Sequence, residues 1–293
     1  MNAVLQMPVS VVSFVSRYIN RSVFVLIHLA VVSVFFVEVS WFSFWLFFWL
    51  WFSTMFAISA GYHRLLSHRS YGANRWFIRL PLVIWCCSAL QKGPLWWTAG
   101  HVAHHLYTDV EGDPHSPVRN GSFWNRIRGF FWSHMGWILV TRKGENDFSS
   151  ISYLAKCWEI RLLERFHYVP PFLLAFLCWY FYGWSGLVWG FVVRTVVLYQ
   201  TTFWVNSICH MPYMLGWRAK QEDESRNNPL VALVTLGEGW HSDHHKWQTR
   251  LKQGHGWWKI DVTYYLLWLP WLISGGMLVW GLYKPIRKSQ EVS

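Results

Sequence analysis

Acidic residues are scarce in this chain of 293 residues: Asp and Glu number 15 against 26 Lys and Arg, and charged residues of both signs reach only 14%. Soluble domains usually carry about 25% charged residues, so a fully water-facing surface is excluded. Cysteine is sparse too. Cys86, Cys87, Cys157, Cys178 and Cys209 show no CxxC spacing, which argues against a zinc ribbon or a disulfide framework and fits a reducing compartment. The chain has no Gly-rich phosphate loop, no GxSxG elbow, no solenoid period and no flavin, haem or iron–sulfur motif. Its first 22 residues lack the basic n-region and small-residue cleavage site of a signal peptide.

What the chain has instead is apolar mass, with 53% hydrophobic residues and 24 tryptophans gathered in runs. Residues 23–37 and 41–60, split by Glu38, each approach the roughly 20 residues that cross a bilayer as helix. A second pair, 168–182 and 186–209, is joined by an uncharged turn at Gly183, Trp184 and Ser185. The expected fold is an all-α integral membrane protein of one domain, residues 1–293, with four transmembrane helices and a helical cap formed by 61–167 and 210–293. The first residues are expected on the membrane surface. Residues 76–90, interrupted by Arg79 and Pro81, read as a re-entrant or interfacial helix, and 264–283, with Pro270 and Gly275-Gly276, as an interfacial helical hairpin or a membrane-hugging segment.

Basic residues set the orientation, because cytoplasmic loops collect Lys and Arg. Arg64, Arg69, Arg75, Arg119, Arg126, Arg128, Arg142, Lys143, Arg161 and Arg165 fill the segment between the second and third spans, and Arg218, Lys220, Arg226, Lys246, Arg250 and Lys252 follow the fourth. The short turns opposite carry none. Both termini and the cap are therefore expected in the cytoplasm, with the net charge of +11 against anionic lipid headgroups and no nucleic-acid partner.

Chemistry is concentrated in histidine. Of 14 histidines, eight fall in three groups: His63 and His68 in HRLLSH, His101, His104 and His105 in HVAHH, and His241, His244 and His245 in HSDHH. Residues at i, i+3 and i+4 share a helix face, so each HxxHH is expected to aim three imidazoles at one point. His63 and His68, five apart, are expected either to serve different metals or to sit where the second span unwinds. Eight imidazoles exceed the four positions of one zinc, which points to two metal ions; spacing alone does not choose iron, zinc, copper or nickel. Asn206 and His210, at i and i+4 near the end of the fourth span, suit helix-to-helix hydrogen bonding or ligation.

With HxxxxH, HxxHH, HxxHH in this order, and with GYHRLLSHRSY, DPHSP, FFWSHMGWIL, NSICH and SRNNPLVALVTLGEGWHSDHH around them, the chain resembles the membrane-bound fatty acyl desaturases of the stearoyl-CoA and bacterial delta-9 type. The resemblance runs from about Ala60 to Asp261. It implies two iron ions held by His63, His68, His101, His104, His105, His210, His241, His244 and His245, with Asn206 reaching one iron through a water. It also implies that Gln91, Trp97 and Thr202 line the bend of an acyl tunnel. One departure stands out: acyl-CoA enzymes carry an Arg-Asp pair before HRxHH, whereas Ala99 and Gly100 precede His101 here and Val102 follows it. The acyl chain is therefore open to lipid, carrier protein or CoA as its carrier.

An unactivated methylene has no acidic proton, so removing its hydrogen needs an oxidant stronger than any side chain, which redox metals and oxygen supply. The resemblance thus implies oxygen-dependent formation of a cis double bond, at delta-9, with electrons from a separate ferredoxin or cytochrome b5-like donor. The rivals are a hydroxylase with the same metal site and a non-catalytic metal-binding protein or transporter. Outside the motifs, His28 is expected to pack helices, and His115, His134, His167 and His255 to be structural. Glu238 and Asp243 are candidates to orient imidazoles or to serve as caps or turn residues, Arg194 to snorkel or pair with Glu38, and Trp96, Trp240, Trp247, Trp257 and Trp258 to lie at the membrane interface.

Overall fold

The structure, a computed structural model, describes residues 9–117, 122–140, 147–212, 216–219 and 222–281, with backbone alone for 9–17. Arg119, Arg142, Lys143, Lys220 and the two chain ends lie outside the described residues. The chain is mostly helical, as the sequence predicts; Gly72–Ala73 and Val279–Trp280 form one antiparallel pair, with Gly72 opposite Trp280.

Among the described residues, three helical stretches are long and apolar enough to cross a bilayer: Tyr18–Phe36, Trp41–Ser67 and Val169–His210. The first continues a helix that begins at Val9, so residues 9–22 run into the span as one element instead of forming a separate surface segment. The second starts at a capping box, in which Ser43 N–H donates to Ser40 Oγ at 3.1 Å and Ser40 N–H to Ser43 Oγ at 2.8 Å.

The third stretch has 42 residues, about 63 Å of helix, roughly twice the hydrocarbon thickness of a bilayer. It is not straight. Gly183 takes φ 60° and ψ −153°, a conformation open to glycine, and the chain doubles back there. Phe172 and Phe191 consequently lie 6.4 Å apart between ring centroids, where a continuous helix would separate them by about 28 Å.

Residues 76–90 form a widened turn, Arg75–Arg79, followed by the short helix Leu80–Cys87. This helix packs closely under the second span: a Cβ on Gly61 would lie 2.4 Å from Cys86 Sγ. The C-terminal region departs from the expected helical hairpin. It is a single helix, Val262–Ile273, of 12 residues, about 18 Å and too short to cross, and the glycine turn after it leads to the strand Val279–Trp280.

Buried ion pairs bind the polar half to the ends of the spans. Arg64, 1% exposed, donates to Glu238 Oε1 at 3.0 Å, to Asp261 Oδ2 at 3.0 Å and to the Leu251 carbonyl at 2.9 Å. Arg75 and Arg79 each reach Glu159 at 2.6 Å. Glu164 accepts the Leu95 and Trp96 N–H groups, which caps the helix Pro94–Leu106 from a neighbouring element and fixes where the HVAHH face points.

Two expectations are corrected here. Arg194 does not pair with Glu38, which is exposed; Arg194 is fully buried and donates to the Ser88 carbonyl at 3.0 Å. Trp96 and Trp240 are core residues, not interfacial ones: Trp96 stacks on Trp137 at 5.7 Å, and Trp240 donates to the Ile260 carbonyl at 2.7 Å.

Candidate metal centre

Nine histidines converge into two groups of ring nitrogens, His63, His68, His101, His105 and His244 in one and His104, His210, His241 and His245 in the other. These are the nine that the resemblance implies. Their distribution differs from what helix periodicity alone predicts. In HVAHH, His101 and His105 join the five-membered group while His104 points to the four-membered one; in HSDHH, His241 and His245 join the four and His244 the five. Each motif therefore straddles both groups, because the i, i+4 pair shares a face and the residue between them is turned by about 100° from its neighbour.

His63 and His68 lie in one group, not in two. The second span ends in a π-helical stretch, Ile58–Ser67, and His68 N–H donates to the His63 carbonyl five residues back at 3.1 Å. A turn closed by i to i+5 bonds brings residues five apart onto one face. Of the two expectations for this pair, the local unwinding is the one found.

The donor geometry suits metal ions. Imidazole nitrogens bind a divalent ion at roughly 2.0–2.1 Å, which puts neighbouring ligands around 3 Å apart. The observed Nε2 to Nε2 separations are 2.6 Å for His68 and His101, 3.1 Å for His63 and His244, 3.0 Å for His244 and His105, 2.8 Å for His210 and His241, and 3.0 Å for His245 and His241. Hydrogen bonds among the rings do not account for this packing. His104, His210 and His245 each present Nδ1 to a carboxylate, Asp113, Asp109 and Asp223 respectively, at 3.0, 3.0 and 3.1 Å. An Nδ1–H donated outward leaves an Nε2 lone pair aimed inward, and inward lone pairs at such distances call for a cation.

Electrostatics agree. Burial, reinforced by neighbouring histidines, pushes His68, His101, His105, His241, His244 and His245 well below the ordinary imidazole value, which keeps them neutral and able to ligate. Burial alone would raise Asp113 and Glu238. His104 holds Asp113 down instead, and His63 with Arg64 holds Glu238 down, so both stay ionised.

Glu238 orients an imidazole as expected: its Oε2 receives His63 Nδ1. Asp243 does not. It binds Asn227 Nδ2, Lys259 Nζ and the His255 N–H, each at 2.7 Å, and ties loops together behind the HSDHH helix. Sequence reading passed over Asp109, Asp113, Asp223 and Gln253, whose amide lies 3.1 Å from His63 Nδ1. Asp113 stood in the quoted DPHSP segment, and nothing local marked the other three.

The remaining histidines lie outside these two groups, and His115 forms a smaller cluster with His104 and Asp113. His28 stacks on Tyr199 at 5.7 Å, His134 bonds Ser207 and Gln200, His167 donates to the Glu164 carbonyl, and His255 sits 3.9 Å from the Trp247 ring. His115 lies 4.4 Å from the His104 ring and 3.8 Å from Asp113.

An apolar cavity leads to this centre. Its wall includes Leu90, Gln91, Trp97, Thr202, Phe203 and Asn206. A smaller cavity shares Trp97, His101, Thr202 and Asn206 with it and reaches His63, His104 and His241. Gln91 donates to Thr202 Oγ1 at 3.0 Å and Trp97 Nε1 donates to Gln91 Oε1 at 3.4 Å. The three residues expected at a tunnel bend are thus linked to one another, with Trp97 and Thr202 lining both cavities and Gln91 the larger.

A family model described as fatty acid desaturase matches residues 39–250. The chain belongs to the fatty acid desaturase family. Among its relatives, it is 36% identical over 220 residues to the delta-9 desaturase-like 5 protein of Arabidopsis thaliana, covering 73% of this chain and 69% of the relative. It is 35% identical over 222 residues to the sn-2 palmitoyl-lipid 9-desaturase of Nostoc sp. (strain 36), covering 72% of each. With the sn-1 stearoyl-lipid 9-desaturase of Anabaena variabilis it shares 34% over 209 residues, 71% of this chain and 72% of that one. This desaturase is a membrane protein with a histidine-rich metal site and a fatty acyl substrate.

Proposed function

We propose that this desaturase holds one iron ion in each histidine group and introduces a cis double bond at the delta-9 position of an acyl chain. The observation that carries the reading is the junction at Trp97, His101, Thr202 and Asn206, where an apolar passage meets both nitrogen groups. Two irons, when bound, supply with oxygen the oxidising power that side chains lack. The chain's own residues do the rest. Asp109, Asp113, Asp223 and Glu238 receive Nδ1–H groups and keep Nε2 lone pairs turned inward. Asn206, on the wall of both cavities, reaches one iron through a water. Gln91, Trp97 and Thr202 bend the acyl chain so that two adjacent methylenes face the centre, and the apolar wall keeps bulk water away.

Delta-9 placement is supported by two of the relatives, named as 9-desaturases. Buried Ala99 and cavity-lining Gly100 stand where a charged headgroup contact would be, which supports a lipid-bound acyl chain. Electrons come from a separate donor, a ferredoxin or cytochrome b5-like protein, since the chain carries no second redox motif. Four spans are read from the chain reversal at Gly183, with both termini and the metal centre on the cytoplasmic side.

The test is mass spectrometry of total fatty acids, with double-bond localisation, in a desaturase-deficient host supplied with an electron donor. Expression of the intact chain, but not of His104→Ala, should yield a new cis-9 alkene. A hydroxylated product would make the protein an oxygen-inserting enzyme, and identical profiles from the two chains would remove catalysis by this centre.

A further inference from the structure

Between the helices Leu80–Cys87 and Pro94–Leu106 the chain makes a turn inside the apolar half of the protein. Two of its non-glycine residues adopt left-handed backbone, Leu90 at φ 60° and Lys92 at φ 66°. Such conformations persist only where the surroundings enforce them. Here three alternate carbonyls are held from outside the turn: Ser88 O accepts from Arg194 Nη1 at 3.0 Å, Leu90 O from the Tyr199 hydroxyl at 2.5 Å, and Lys92 O from the Tyr62 hydroxyl at 3.1 Å. Gln91, between the last two, points its amide at Thr202 on the helix that also carries Arg194 and Tyr199.

Arg194 is an expensive way to hold a carbonyl. It is 0% exposed, its Nη2 has no hydrogen-bond partner among the described residues, and its guanidinium donates to the carbonyls of Ser88 and Gly190, not to a carboxylate. A buried guanidinium within an apolar span is costly enough to imply a task.

We propose that Arg194 and Tyr199 are positioning residues that lock the 88–92 turn, and through Gln91 set which carbon of the acyl chain meets the metal centre. Neither belongs to the histidine groups; Arg194 is off the passage wall, and Tyr199 lies on it beside Leu90, Gln91 and Lys92. Their hold on the turn shapes that wall, so their loss alters where the double bond forms and leaves the metals in place. The proposal rests on Gln91, Trp97 and Thr202 being the wall of the acyl passage.

The experiment compares wild type, Gln91→Ala, Arg194→Met, Arg194→Lys and Tyr199→Phe for double-bond position in the product and for metal content of the purified protein. Arg194→Met and Tyr199→Phe should keep wild-type metal content while the share of alkene at neighbouring carbons rises, about tenfold for Arg194→Met, because displacements near 1 Å change which atoms are in reach. Arg194→Lys, which retains a donor toward Ser88 O, should fall back toward the wild-type pattern. Tyr199→Phe removes one hydroxyl and no charge, so it decides the matter if Arg194→Met does not accumulate. A single wild-type isomer from Tyr199→Phe and from any metal-loaded Arg194→Met would overturn the clamp. If Gln91→Ala also leaves the isomer unchanged, the passage reading itself falls; if Gln91→Ala shifts it while the others do not, only the clamp does.

Discussion

The two histidine groups use the same donor atom and differ in everything around it. The four-membered group is wholly buried, and three of its four rings hand Nδ1 to a carboxylate, Asp113, Asp109 or Asp223. The five-membered group has one such brace, Glu238 on His63, and three of its members, His68, His101 and His105, are partly exposed. Fewer nitrogens come with more surrounding anionic charge, and more nitrogens with less. As proposed cation sites, the groups balance ligand number against outer charge in different ways, so perturbations should not act on them equally.

Removing a ligand breaks the comparison most severely. His104→Ala and His244→Ala should each abolish alkene formation, and each should reduce iron by about one ion per chain, since every ligand in these sets faces one group. Elemental analysis of the purified variants checks this, and an unchanged iron count in either would remove that residue from the ligand set. Next come the braces. Asp113→Asn and Glu238→Gln should each lower metal affinity or activity by roughly 10–100-fold. Glu238→Gln should also lower the melting temperature more, because Glu238 forms part of the buried Arg64 and Asp261 network; equal melting temperatures would refute that added role.

Acid sharpens the contrast between metal-free and metal-loaded protein. Six of the imidazoles are pushed below the ordinary value of 6.5 by burial, so the unfolded chain takes up protons that the folded apo-protein refuses. Their contribution is fully present above about pH 6.5 and declines as pH falls toward the lowered folded values. Apo-protein in detergent should therefore melt at progressively lower temperature from about pH 7 to pH 5, and metal should raise the melting temperature at pH 7. A flat apo profile would contradict the burial argument. The smallest effect belongs to His115→Gln. Its ring sits beside His104 and Asp113 without joining the four, so iron content should match wild type; loss of one ion would make His115 a ligand.

Much of this was legible beforehand. Apolar runs and the uncharged turn at Gly183 announced helices and their reversal, and the HxxHH spacing announced the clustering of histidines. What periodicity could not supply was the allocation of rings. A helix wheel shows which histidines share a face, but HVAHH and HSDHH are each divided two to one between the nitrogen groups, and only tertiary packing decides the division. The π-helical turn at Ile58–Ser67 was legible as one of two readings of the five-residue spacing of His63 and His68, its only local trace. The three aspartate braces come from residues 9 to 101 positions away from their histidines. The reach of Arg194 to Ser88 spans 106 positions, and no local pattern encodes such partners.

The most direct test of a centre with two unlike sites is metal analysis with Mössbauer spectroscopy on purified, iron-enriched protein. The account predicts two irons per chain giving two distinguishable signals of about equal area, one from each nitrogen set. One iron per chain, or zinc in its place in fully active protein, would contradict it.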